Sequence, residues 1–149
     1  MTTYVQAPTS GVVIPLAETS DPIFASGALG PGVAIRPGGE TFVAPLAGTL
    51  VTVMPHAYGI AGDDGVEVLV HIGIDTVELE GRHFVPVVAK GQHVEAGDAF
   101  VTVDLEAIAA AGFDTVTIVV VTNAGGLGAV EPVADGPVDA GAAVLKVSA

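Results

Sequence analysis

Glycine or proline closes off almost every apolar run in this chain before the run outgrows a β-strand. Twenty Gly and ten Pro are spread over 149 residues. Between them lie Val-rich stretches of strand length at about 11–16, 33–36, 41–44, 49–54, 56–61, 66–74, 84–89, 100–103, 116–122 and 143–147. Only the Ala-rich stretch Leu105 to Ala111 reads as helix, with Asp104 as its N-cap and Gly112 as its stop. Short strands joined by tight turns predict an all-β protein, an antiparallel β-sandwich with at most short helical segments. Half of the residues are hydrophobic, enough to give residues 1–149 a core as one single domain.

Two internal echoes sharpen that expectation. Ala7-Pro8-Thr9-Ser10-Gly11-Val12 matches Ala44-Pro45-Leu46-Ala47-Gly48-Thr49, and Val94-Glu95-Ala96-Gly97-Asp98-Ala99 matches Val138-Asp139-Ala140-Gly141-Ala142-Ala143. Too few copies are present for a solenoid, so the echoes predict an approximate internal duplication, two related halves of one sandwich.

Composition removes several function classes. Without Cys, disulfides, thiolate nucleophiles and Cys-ligated zinc are excluded. The densest Val/Ile run, Val116 to Val121, falls far short of the roughly 20 residues a membrane span requires. The first residues lack the basic and apolar regions of a signal peptide, so the chain reads as cytoplasmic, with no membrane insertion. Seventeen acidic residues against four Lys and Arg give a formal net charge of −13. Such a surface does not bind nucleic acid, whereas a basic partner protein would suit it. The glycine-rich loops at 27–32 and 125–128 carry no Lys of a phosphate cradle, and no cofactor is expected.

Chemistry concentrates in two of the four histidines. The segments around 56–61 and 66–74 read as a β-hairpin through Gly62-Asp63-Asp64-Gly65. A turn centred between Asp63 and Asp64 would set His56 directly opposite His71, with Cβ atoms about 4.5–5.5 Å apart. The period of two would then put Ala57, Gly59 and Ala61 on the core face and Tyr58 and Ile60 on the outer face with the histidines. One neutral imidazole can attack phosphorus while its neighbour hydrogen-bonds the phosphoryl oxygens. Paired imidazoles also suit zinc, but no third ligand is evident, and no metal site is expected. His83 and His93 read as surface loop residues.

The run Gly65-Val66-Glu67-Val68-Leu69-Val70-His71-Ile72-Gly73-Ile74-Asp75-Thr76-Val77-Glu78-Leu79-Glu80-Gly81, with His56-Ala57-Tyr58 before it, resembles the active-site segments of the glucose-type enzyme IIA family of the bacterial sugar phosphotransferase system. Asp21-Pro22-Ile23-Phe24, Gly32-Val33-Ala34-Ile35 and Val119-Val120-Val121-Thr122-Asn123 extend the likeness over nearly the whole chain. The resemblance implies a phosphocarrier, a phosphotransferase component that accepts a phosphoryl group from HPr and passes it to the IIB domain of a sugar permease. His71 would form the phosphohistidine and His56 would stabilise it. Asp75 would flank the site, and Ile23, Phe24, Ala28, Leu29, Leu69 and Val77 would form an apolar docking rim. Some relatives also bind regulatory protein partners through that face, so a regulator without obligatory phosphotransfer is the alternative. Two departures stand out. Met54 and Pro55 occupy a stretch where the family commonly has a Thr beside the second histidine, and Ala28 is small where a larger apolar residue is usual. A swinging-arm domain would need a displayed Lys with flanks that Lys90 and Lys146 lack, and a zinc peptidase would need further ligands.

Overall fold

The computed structural model describes residues 2–148. In chain order the elements are β1 (Thr2–Gln6), β2 (Gly11–Pro15), α1 (Pro22–Ala25), β3 (Gly32–Pro37), β4 (Thr41–Val43), β5 (Gly48–Met54), β6 (Ala57–Gly62), β7 (Glu67–Ile72), β8 (Phe84–Pro86), β9 (His93–Val94), β10 (Ala99–Val103), α2 (Leu105–Ala110), β11 (Thr117–Val121), β12 (Val130–Pro132), β13 (Gly136–Val138) and β14 (Ala143–Ser148). An eight-stranded sheet in the order β13-β2-β3-β11-β7-β6-β5-β9 is accompanied by two three-stranded sheets, β1-β14-β12 and β4-β10-β8. Every pairing is antiparallel. The main core joins Val33, Tyr58 and Val70 of the large sheet to Phe42, Phe100 and Leu145 of the small ones. Burying each such side chain contributes about 1.5–3 kcal/mol. Helix α2 sits where the sequence predicts it, with the Asp104 carboxylate accepting from Ala107 N–H at 3.1 Å.

The internal echoes become equivalent joints of the two halves. Ala7 N–H donates to Ala142 O at 2.7 Å and Ala7 O accepts from Gly141 N–H at 2.9 Å; Ala44 repeats this with Asp98 O at 2.8 Å and Gly97 N–H at 2.9 Å. The copies also clasp each other, Gln6 N–H donating to Pro45 O and Val43 N–H to Pro8 O, both at 2.8 Å. Gly11 and Gly48 do the same work. A Cβ at either would lie 2.1 Å from Arg36 O or 2.3 Å from Ala61 O, so only glycine lets the strands approach. Strands β7 and β11 meet side by side at the centre of the large sheet. Gly48 pairs with Gly62 as Gly11 pairs with Pro37, which makes Ala57 equivalent to Gly32. Their partners His71 and Val120 are then equivalent too, and His56 corresponds to Pro31. Only one half carries the two histidines.

The hairpin register differs from the sequence expectation by one residue. Gly62 N–H donates to Val66 O at 2.8 Å, Gly65 N–H donates to Gly62 O at 3.0 Å, and Gly65 has φ +94°. The result is a three-residue loop closed by a left-handed glycine, and an odd loop shifts the pairing by one. His71 therefore opposes Ala57 rather than His56. The faces of β6 exchange accordingly. Tyr58 and Ile60 are fully buried in the core, and Ala57, Gly59 and Ala61 share the outer face with Glu67, Leu69 and His71.

That outer face is itself partly covered. Leu16, Phe24, Ala34, Ile74, Ile118 and Val120 form a second apolar cluster across the large sheet from the main core, with Leu69 packed against it. Helix α1, unforeseen because it spans only four residues, brings Phe24 there. Asp21 caps it by accepting from Ile23 N–H at 2.8 Å, and Pro22 opens its first turn.

Candidate functional site

The two imidazoles are neighbours, but a turn brings them together rather than cross-strand pairing. Met54 pairs with Ala57, so Pro55 and His56 form the two-residue turn between β5 and β6. His56 O accepts from Ile72 N–H at 2.7 Å, which ties this turn to the last residue of β7, next to His71. The ring centroids lie 5.1 Å apart with the planes at 81°.

His71 has its tautomer set by the backbone. Its Nδ1 lies 2.8 Å from Gly73 O. A carbonyl has no proton to give, so Nδ1–H donates, and in the neutral ring the free lone pair resides on Nε2. The chain must double back within two residues for that bond to form. Gly73 does so with φ +80°, where a Cβ would stand 2.4 Å from Thr76 Cγ2. Asp75 follows in a left-handed conformation, φ 60°, and opens the 3-10 turn Thr76–Leu79.

Phe24 packs against His71 with ring centroids 5.0 Å apart and planes at 54°. Burial pushes the His71 imidazole below its ordinary range, opposed by its bond to Gly73 and by the charges of Asp21 and Asp75. His56 is also lowered, by burial and then by the neighbouring His71. Both rings are thus held toward the neutral, lone-pair-bearing form.

The apolar side chains expected to form a rim differ in exposure. Ile23 and Val77 are more than half exposed, at 57% and 55%, and Leu29 is 41% exposed. Leu69 is half-buried beside His71 on the outer face of β7. Ala28 lies exposed in the turn after α1. Phe24, at 6% exposure, is buried in the second apolar cluster, against which Leu69 packs. His83 and His93 are exposed elsewhere, and His93 Nε2 lies 2.9 Å from Asp63. Among the described residues, no group of three or more His, Asp or Glu side chains comes together as a metal-binding cluster. Sequence reasoning missed the Gly73 carbonyl as the partner of Nδ1 and included Thr76 in the resembling run without giving it a part. The available signal was a glycine two residues beyond the histidine at a strand end.

Fold and site together define a class, an antiparallel β-sandwich whose outer face presents a tautomer-fixed histidine with a second imidazole beside it. The family model for the phosphoenolpyruvate-dependent sugar phosphotransferase system, EIIA 1, matches residues 3–126, and the chain belongs to that family of phosphotransferase components. A glucose-specific EIIA component from Mycoplasma capricolum is 45% identical over 124 residues, covering 82% of this chain and 80% of that protein. The solved glucose permease IIA from Mycoplasma capricolum superposes with a TM-score of 0.91 at 42% identity, covering 98% of this chain and 96% of that one. A glucose-specific EIICBA component of Streptococcus pneumoniae is 45% identical over 149 residues, covering 99% of this chain and 20% of that protein. The chain thus spans about a fifth of the length of the multidomain relatives it matches. No described helix is long and apolar enough to cross a membrane.

Proposed function

We propose that this chain acts as a single phosphocarrier domain in the cytoplasm, accepting a phosphoryl group from phospho-HPr on Nε2 of His71 and passing it to the IIB domain of a sugar permease. The observation that carries the reading is the Nδ1–H bond to Gly73 O, which leaves Nε2 as the nucleophile. As the lone pair of Nε2 attacks phosphorus, the donor's P–N bond breaks and the new P–N bond forms. Nε2 has no proton to lose, and Nδ1 keeps its own. Positive charge developing on the ring is offset by the Gly73 carbonyl and by Asp21 and Asp75, the charges already felt by His71. His56 serves as a hydrogen-bond donor to the phosphoryl oxygens. Transfer to IIB runs the same steps in reverse with a new acceptor.

Ile23, Ala28, Leu29, Leu69 and Val77 form the docking rim in this reading, with Phe24 as its support. Four Lys and Arg in the whole chain leave the positive charge that a phosphoryl group requires to the partners. Incubation with enzyme I, HPr and phosphoenolpyruvate, followed by intact mass, tests the proposal. One added phosphate that disappears on adding the IIB domain supports it, and an unchanged mass refutes it.

A further inference from the structure

We infer that Thr76 is a positioning residue for phosphoryl transfer, bracing the turn whose carbonyl fixes the tautomer of His71. This rests on the reading of His71 as the phosphoryl acceptor.

Thr76 is 1% exposed, although nothing in the chemistry above requires a hydroxyl there. Its Oγ1 donates to Ile72 O at 2.5 Å, reaching back to the residue where β7 ends. Its methyl lies against Gly73, so close that a Cβ on Gly73 would be 2.4 Å from it. Between Ile72 and Thr76 the backbone adopts a left-handed conformation twice, at Gly73 with φ +80° and at the non-glycine Asp75 with φ 60°. A non-glycine residue at positive φ persists only where its surroundings hold it.

Three fasteners hold this one. Gly73 N–H donates to Val116 O at 2.9 Å and Ile74 N–H to Asp114 O at 3.0 Å, both on the side of the segment leading into β11. The Thr76 hydroxyl closes the turn from its own far end. Gly73 O then faces Nδ1 of His71 from a peptide whose own N–H is held by Asp114 O, and the peptide before it is held on both sides, by Val116 O and by the Thr76 hydroxyl. If the hydroxyl is lost, the turn can relax, Gly73 O leaves Nδ1, and the proton redistributes between the two ring nitrogens. The fraction of rings with a free lone pair on Nε2 falls. Docking is untouched, because Thr76 is buried and presents no surface to a partner.

The test uses the full chain with 15N-labelled histidine, as wild type, Thr76→Val and Thr76→Ser. The nitrogen spectrum of His71 should be pyrrole-like at Nδ1 and pyridine-like at Nε2 in wild type and Thr76→Ser, and averaged in Thr76→Val. Phosphoryl uptake at saturating phospho-HPr should fall on the order of tenfold in Thr76→Val, the scale expected of a partly misplaced nucleophile, with half-saturation unchanged. A single Nδ1–H tautomer with wild-type uptake in Thr76→Val overturns the inference. Should Thr76→Val lack a folded amide spectrum, Thr76→Ala, which removes the hydroxyl without setting a methyl in its place, is read instead. Averaged tautomers then support the inference and a fixed one overturns it. Phosphate found on another residue of the wild type would overturn the acceptor reading instead, and the tautomer spectra would still decide whether Thr76 holds the turn.

Discussion

Replacing Phe24 with Ala removes the ring that packs 5.0 Å from His71 and joins α1 to the large sheet. Phe24 is 6% exposed, so nearly the whole side chain is withdrawn from water. Losing that burial alone costs about 1.5–3 kcal/mol, and a sealed cavity would raise the figure to about 3–5 kcal/mol. Because the position lies just under an exposed rim, water can enter the space, and the expected loss is about 2–3 kcal/mol. A domain of this size has about 5–15 kcal/mol in hand, so the variant remains folded. Urea melts should show the lower midpoint with an unchanged slope. A second readout links packing to chemistry. Burial is the largest influence on His71, so removing the ring should let its pKa rise toward the ordinary histidine value in an NMR titration. A loss under about 0.5 kcal/mol, the scale of a surface substitution, together with an unmoved titration would refute the claim that Phe24 supports and desolvates the site.

His56→Gln should still accept phosphate but donate it to IIB more slowly, since an amide can hydrogen-bond a phosphoryl oxygen but cannot change its charge as the group leaves; equal donation rates in a quench assay would contradict this. Because His56 and His71 both titrate below the ordinary value of about 6.5, the unfolded chain binds protons first as pH falls. Their contribution therefore makes stability drop from about pH 6.5 down through the lowered folded values, and His56→Gln should flatten that slope in urea melts between about pH 7.5 and 5.5. His93 is raised by its bond to Asp63 and acts in the opposite sense, but it is common to both proteins and cancels in the comparison. Gly48→Ala should cost about 1–3 kcal/mol by pushing a methyl into Ala61 O, whereas Gly125→Ala, with nothing within 4 Å, should change stability by less than about 0.5 kcal/mol; equal melts would contradict the account of the echo glycines.

The duplication was legible because the first echo combines an alanine that must be buried, Ala7 or Ala44, with a glycine that must admit a neighbouring backbone, Gly11 or Gly48, while the second repeats a left-handed turn glycine, Gly97 or Gly141, at φ +93°. Most long strands were legible for a similar reason, being Val-rich and bounded by turn residues. Strands β9, β12 and β13 were not expected, having two or three residues and no apolar run, and neither was the five-residue β1, whose Thr2-Thr3-Tyr4-Val5-Gln6 is too polar to read as one. The hairpin loop was misjudged because Gly62-Asp63-Asp64-Gly65 looks symmetric, and only the left-handed φ of Gly65 makes the loop odd. His56 and His71 were expected side by side and are so, yet the reason given was wrong. A backbone bond from Ile72 to His56 joins two turns, and no local residue pattern encodes a contact of that kind. The family resemblance supplied the rim residues, but the partition of Phe24 beneath and Ile23 above depends on the four-residue α1, too short to be recognised from periodicity.

On the phosphocarrier reading, Nε2 of His71 is the atom that takes the phosphoryl group. Phosphorylating the 15N-histidine-labelled protein with enzyme I, HPr and phosphoenolpyruvate and recording phosphorus–nitrogen couplings reads that atom directly. A coupling to Nε2 of His71, with its Nδ1 proton still bonded to Gly73 O, is the predicted result. A coupling to Nδ1, or to a nitrogen of His56, His83 or His93, would contradict it.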